Sequence, residues 1–319
     1  MMEENVDKVT IIGSGNVGTA AAFYLAEKRV ADVMLIDVAE GRSKGKALDL
    51  MEAAPIRGYD VHLSGSDELK DMAGSKVVVI AAGLVRKPEM MRQDLLEQNV
   101  KVIDEITDKI KQHAPKAIII NLTEPVDTLT YYLIKKGGFD PSKVLGVSGA
   151  LDSSRLREFI AQELDVSSVN TSGIIIGGHH DYMVILPRYA RVEGIPITEL
   201  LPPEKVEDLV NRTRKAGSEI VDSLKTGSAS NAPGAAVADM VEAIVRDSKR
   251  IVCAPAYLSG EYGHEDICLG VPVLLSKNGI EKIVELELTL AEKEAFDKSA
   301  AVVKNTMKSL ELESEKKEG

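Results

Sequence analysis

Basic charge is in short supply in this chain. Lys and Arg number 39 against 50 Asp and Glu, for a net charge of −11 and a pI near 5.1. That balance excludes a general nucleic-acid binder, which needs a basic surface, but leaves room for a local basic pocket that takes a small anion. Cysteine is nearly absent. Cys253 and Cys268 are the only two, too few for a disulfide scaffold and without metal-ligand spacing, so packed, reduced thiols are expected. No apolar run approaches the roughly 20 residues that span a bilayer. The N-terminus, MMEENVDKVTIIG, is acidic and passes at once into a strand pattern, with no leader visible. A soluble cytoplasmic protein is the expectation. Internal repeats and low-complexity linkers are missing too, which implies that any two halves of the 319 residues pack closely.

What is present is a rhythm. KVTIIG (8–13), DVMLID (32–37), KVVVIAAG (76–83), AIIINLT (117–123) and KVLGVS (143–148) are short and apolar on both faces. Parallel strands covered by helices on both sides read this way. Helical patterns lie between them, at 16–30 and 92–114. Alternating strand and helix predicts right-handed crossovers and a doubly wound parallel sheet. After about residue 150 the pattern changes to helices at 151–164, 203–226 and 232–247. Three strand-like runs with hairpin turns follow, and TLAE (289–292) forms a capping box that opens a last helix. The tail ELESEKKEG has no apolar face and is expected to fray.

The first strand runs into IIGSGNVGTA, with Gly13, Gly15 and Gly18 in G-x-G-x-x-G spacing and Asn16 and Val17 opening the helix. The first glycine serves a tight turn, the second lets backbone approach a pyrophosphate, and the third allows close helix packing. Asp37 ends the second strand 19 residues after Gly18, where a carboxylate accepts from both ribose hydroxyls and repels a 2′-phosphate. NAD rather than NADP is the expected cofactor, with Arg42 and Lys44 close enough to soften the preference.

Four further stretches carry candidate chemistry. AAGLVRKPEMMRQDLL holds Arg86 and Arg92, LDSSR places Asp152 and Arg155 on one helix face, GGHHD carries His179 and His180, and TGSASNAPGAA is a run of small residues. In order, spacing and type these resemble the lactate/malate dehydrogenase superfamily, most closely the lactate-dehydrogenase-like malate dehydrogenases of archaea and bacteria. The resemblance runs over nearly the whole chain. It implies an α/β fold, with an N-terminal Rossmann domain (a doubly wound parallel sheet) over residues 1–148 and a C-terminal α+β substrate domain over 149–319. It also implies His179 as general acid/base oriented by Asp152, Arg155 on the C1 carboxylate, and Arg92 at the substrate carbonyl. Arg86 would meet the second carboxylate of a dicarboxylate, beside a small residue at Ala229, and Asn99 would join the cofactor site. A homodimer or homotetramer is implied as well. The chemistry of these types agrees, since a hydride added to a 2-keto acid leaves an oxyanion that needs a proton donor and a nearby cation. A metal at His179 and His180 is not expected, since neither has further ligands at metal spacing.

Two residues depart from the family. Glu124, in LTEPVD, stands where the family carries asparagine. His180 stands where it carries glycine. Burial and the substrate's charge could keep Glu124 protonated, or it could pair with an arginine; His180 could crowd the catalytic loop or point away. Asn121, three residues upstream, is out of register to replace the missing asparagine. Because of these departures, a dehydrogenase of another 2-keto acid and a low-activity NAD-binding paralogue stand as alternatives to malate oxidation.

Overall fold

The computed structural model describes residues 6–84 and 92–317, excepting the side chains of residues 92, 93 and 311–317. The first half is a six-stranded parallel sheet. Its strands are β1 (Lys8–Ile12), β2 (Asp32–Ile36), β3 (Leu63–Ser66), β4 (Val77–Ile80), β5 (Ile118–Asn121) and β6 (Val144–Gly146), in the order β3-β2-β1-β4-β5-β6. Helices α1 (Asn16–Glu27), α2 (Arg42–Arg57), α3 (Arg92–His113) and α4 (Val126–Gly137) make the crossovers. The strand order reverses between β1 and β4, and the carboxyl ends of the strands at such a switch point form a binding crevice. The sheet is buried on both faces, Val77–Ile80 and Ile118–Ile120 being almost fully enclosed.

The second half opens with α5 (Gly149–Leu164). Short strands follow: β7 (Thr171–Ser172), β8 (Ile175–Ile176), β9 (Val184–Ile185), β10 (Arg191–Val192) and β11 (Ile195–Pro196). Then come α6 (Ile197–Leu200), α7 (Pro203–Leu224) and α8 (Asn231–Val245), the antiparallel strands β12 (Arg250–Ser259), β13 (Glu265–Ser276) and β14 (Gly279–Ile283), and finally α9 (Leu290–Lys317). One apolar core runs through both halves, from Val9 and Ile11 of β1 to Leu269 and Val271 of β13. Helix α8 lies against α1 so closely that a Cβ on Gly234 would stand 2.7 Å from Ala20 Cβ.

Two expectations need correction. The sheet has a sixth strand, β3, whose LSGS sequence offers no apolar run. The last helix does not stop before the charged tail but continues through Lys317. Its residues are strong helix formers, and no glycine or proline interrupts them before Gly319.

Candidate active site

The glycine turn after β1 adopts the geometry its spacing predicts. Gly13 has φ +104°, and a Cβ there would strike Ala81 O at 2.5 Å. A Cβ on Gly18 would come within 1.9 Å of Gly13 O, so the third glycine is required for α1 to rest on the turn. Around Gly15 there is open space, with nothing within 4 Å of a Cβ position. Asn16 and Val17 start α1, whose first turn holds no acidic residue. A helix N-terminus offers amides without intrahelical partners and the positive end of its dipole, and α1 begins beside that space. The turn therefore fits a dinucleotide pyrophosphate.

Asp37 does more than wait for a ribose. Its Oδ2 accepts from the backbone N and the Oγ of Ser14, both at 2.8 Å, and its Oδ1 accepts from Ala39 N at 3.0 Å. Burial opposes the charge, but these donors and Arg42 at 4.0 Å outweigh it and hold the carboxyl below its ordinary range. Of about four lone-pair directions on a carboxylate, three are used. One hydroxyl can be received directly, and a second only if Ser14 Oγ turns away.

The histidine stretch is the hairpin β8–β9, with residues 177–183 as its loop. Three consecutive amides of that loop are tied to three different elements. Gly177 N donates to Gly270 O of β13 (2.8 Å), Gly178 N to Ser299 Oγ of α9 (2.9 Å), and His179 N to Asp127 Oδ2 of α4 (2.8 Å). The ring of His179 is thereby carried to the end of α5. There His179 Nδ1 meets Asp152 Oδ2 at 2.7 Å, while the other oxygen, Oδ1, accepts from Arg155 Nη1 at 3.0 Å. Asp152 is buried and bridges the two cations, so the i,i+3 pair is part of the site and not a solvated helix face. Arg155 Nε is buried without a partner among the described residues, so the guanidinium keeps donor capacity for an anion.

The far nitrogen, His179 Nε2, lies 3.5 Å from Glu124 Oε1. Burial works against a charged ring, but the charges of Asp152, Glu124 and Asp127 and the Asp152 hydrogen bond outweigh it, and the pKa of His179 rises to about 10. The ring is an imidazolium at neutral pH, held through Nδ1 and presenting Nε2–H outward.

Glu124 lacks the burial that one course set out from the sequence relied on, and the other, pairing with an arginine, involves Arg86 and Arg92, whose side chains lie outside the described residues. Its side chain is 48% exposed, and among the described residues its ionic partner is His179 and not an arginine. The backbone beneath it is fixed by a cis Glu124–Pro125 peptide and by Asn99 Nδ2, which donates to Glu124 O at 2.7 Å. Asn99 is fully buried and its Oδ1 also accepts from Leu84 N, so it is a bracket between two loops of the crevice. Asn121 is stapled to Thr123, Val126 and Thr130 at the start of α4. His180 points away from the site, its Nε2 3.3 Å from Ser299 O of α9 and its Nδ1 accepting from Tyr182 N. Ala229 lies half-buried between α7 and α8. Arg86 is outside the described residues; Arg92 opens α3, its side chain outside them.

One site residue escaped the sequence reading. Asp127 is buried, accepts from His179 N, and leaves its Oδ1 without a partner among the described residues. Burial, against the pull of His179, raises its carboxyl to about 7. Its only sequence signal was an acid two residues after the proline of EPVD, which reads as an ordinary first-turn acid.

Two family profiles match the chain, one described as lactate/malate dehydrogenase, NAD binding domain, over residues 7–146, the other as lactate/malate dehydrogenase, alpha/beta C-terminal domain, over residues 149–313. The chain belongs to the lactate/malate dehydrogenase family. Among relatives in that family, the malate dehydrogenase of Bacillus cereus is 51% identical over 95% of this chain and 98% of its own length. That of Desulforudis audaxviator is 48% identical over 96% and 99%. The apo malate dehydrogenase of Picrophilus torridus superposes with a TM-score of 0.94 at 41% identity, covering 98% of this chain and 99% of its own. A Cryptosporidium parvum lactate dehydrogenase solved with lactic acid and NAD gives 0.92 at 37%, covering 96% and 98%.

Proposed function

We propose that this protein is an NAD-dependent malate dehydrogenase that interconverts oxaloacetate and malate. The observation that carries the reading is the His179 ring, clamped by Asp152 on one nitrogen and leaving the other free to exchange a proton with a substrate, on the same carboxylate that holds Arg155. Malate dehydrogenases at 48–51% identity over nearly the full chain support it. The glycine turn and Asp37 would hold NAD, which would supply or accept the hydride at substrate C2. Arg155 holds the C1 carboxylate, its planar fork suited to two oxygens. In reduction the proton on His179 Nε2 moves to the former carbonyl oxygen, and Asp152 keeps the ring oriented as its charge is lost; oxidation returns the proton to Nε2. Arg92 at the carbonyl and Arg86 at the second carboxylate complete the proposal, with Ala229 leaving room beside them. Pyruvate would leave the Arg86 cation unpaired.

The same proposal includes a homodimer or homotetramer in the cytoplasm. Helix α8 is already covered by α1 within the chain, whereas Leu48 and Ile56 of α2 are largely exposed apolar side chains that a second copy could cover. Both cysteines are free and buried, which suits a reducing compartment. No helix among the described residues is long and apolar enough to cross a membrane.

NADH oxidation by the purified protein with oxaloacetate, pyruvate and hydroxypyruvate in parallel tests the assignment. Oxaloacetate is expected to be preferred. Preference for pyruvate overturns the role of Arg86, and no turnover with any of the three overturns the assignment.

A further inference from the structure

Glu124 faces the one position in the site where the two substrates differ. Oxaloacetate and malate carry the same two carboxylates. What distinguishes them as hydrogen-bonding partners is the C2 oxygen, a carbonyl that only accepts in one and a hydroxyl that also donates in the other. An oxygen that accepts from His179 Nε2 must lie about 3 Å from that nitrogen. Glu124 Oε1 is itself 3.5 Å from it, so the two oxygens share the space around one ring nitrogen, and one on Glu124's side of the ring comes within its hydrogen-bonding reach. Oε2 accepts from Val126 N at 3.2 Å, and Asn99 fixes the Glu124 carbonyl, so the half-exposed carboxylate is held on the side of this position.

We propose that Glu124 is a specificity-determining residue that favours binding of the hydroxy acid over the oxo acid at the His179 site. A carboxylate only accepts hydrogen bonds. The hydroxyl of malate accepts from Nε2–H and donates its own proton to Oε1, satisfying both groups. The carbonyl of oxaloacetate accepts from Nε2–H but turns a second lone pair toward Oε1, and neither oxygen has a proton to offer the other. An amide at position 124 discriminates far less, because it can present its N–H₂ to a carbonyl or its C=O to a hydroxyl. Electrostatic repulsion between Glu124 and the substrate carboxylates does not decide the matter, because both substrates are dianions and the effect cancels between them. His180 takes no part, being turned toward α9.

This inference rests on His179 being the group that meets the substrate oxygen. Its test uses dead-end ternary complexes, in which no hydride can move: malate titrated into the protein with NADH, and oxaloacetate into the protein with NAD, by calorimetry. The ratio of the two dissociation constants is compared between the wild type, E124Q and E124N. Because the cofactor pairing is the same for every protein, its contribution cancels in the comparison. The oxaloacetate-to-malate ratio is expected to fall by roughly tenfold or more in both variants, the scale of one unmatched polar contact. An unchanged ratio, including one in which both constants move together, overturns the proposal. Turnover of oxaloacetate by the wild type is measured alongside. If the wild type turns over and the ratio does not change, the fault lies with Glu124 alone; if it does not turn over, the functional reading fails and takes this inference with it.

Discussion

Asp152 determines how His179 behaves. One oxygen holds the ring nitrogen at 2.7 Å and the other holds Arg155 at 3.0 Å, so its charge both raises the pKa of His179 and orients the Arg155 guanidinium. D152N keeps the shape and removes the charge. We expect kcat for oxaloacetate to fall by about 10²-fold or more. The high-pH limb of kcat/KM, set by loss of the Nε2 proton, should move to lower pH, because Asp152 contributes most to the rise of His179 to about 10. Steady-state rates from pH 6 to 11 check both; a limb that stays in place would show that the ring does not depend on Asp152. That His179, Asp152 and Arg155 meet was legible because their order and spacing resemble a family's motifs, one of the chain's five histidines among them. So was a carboxylate at position 124 beside His179, from the family position alone. The contact of Asp127 with His179 N was not, because it depends on how the start of α4 meets a hairpin more than 50 residues later, and no local pattern encodes that meeting.

At the scale of elements, the histidine loop is placed by its neighbours, not by its own residues. Amides of residues 177, 178 and 179 reach β13, α9 and α4 in turn, and the two glycines that begin the run tolerate contacts no side chain could. A Cβ on Gly177 would lie 2.7 Å from Ser299 Oγ. The parallel strands could be read from their apolar runs, and α1 from its glycine turn. Strand β3 and helix α2 could not, since LSGS and the charged, glycine-bearing RSKGKALDLMEAAPIR lack a decisive period and are held by pairing with β2 and packing beside it. The close fit of α8 on α1 likewise appears only in the folded chain. G234A puts a methyl 2.7 Å from Ala20 Cβ and 2.9 Å from Ala21 N, contacts that neither helix can yield without shifting. A loss of about 1–3 kcal/mol in urea unfolding is expected; wild-type stability would mean that the two helices are not in this contact.

For the whole molecule, the site is a seam. Glu124 and Asp127 come from the sheet half, Asp152, Arg155 and His179 from the second half, and one core runs beneath both. Two buried groups at that seam tie its chemistry to global stability with the same sign. The Asp127 carboxyl titrates near 7 in the fold, against an ordinary value of 3.8. Its contribution to stability is therefore complete below about pH 4 and is lost as pH rises through 7, because there the unfolded chain has already released a proton that the native chain still holds. His179 behaves alike one step higher: its contribution is complete below its ordinary 6.5 and is lost as pH rises through about 10. Each such proton is worth up to about 1.4 kcal/mol per pH unit within its window. D127N removes the lower window while its amide oxygen still accepts from His179 N. Measured by chemical denaturation at pH 5 and pH 8, the variant should gain on the wild type as pH rises. D127A, which leaves that buried amide unpaired, should instead be less stable at pH 5 by about 1–3 kcal/mol. If D127N and wild type keep a constant difference between the two pH values, Asp127 does not hold its proton in the native seam.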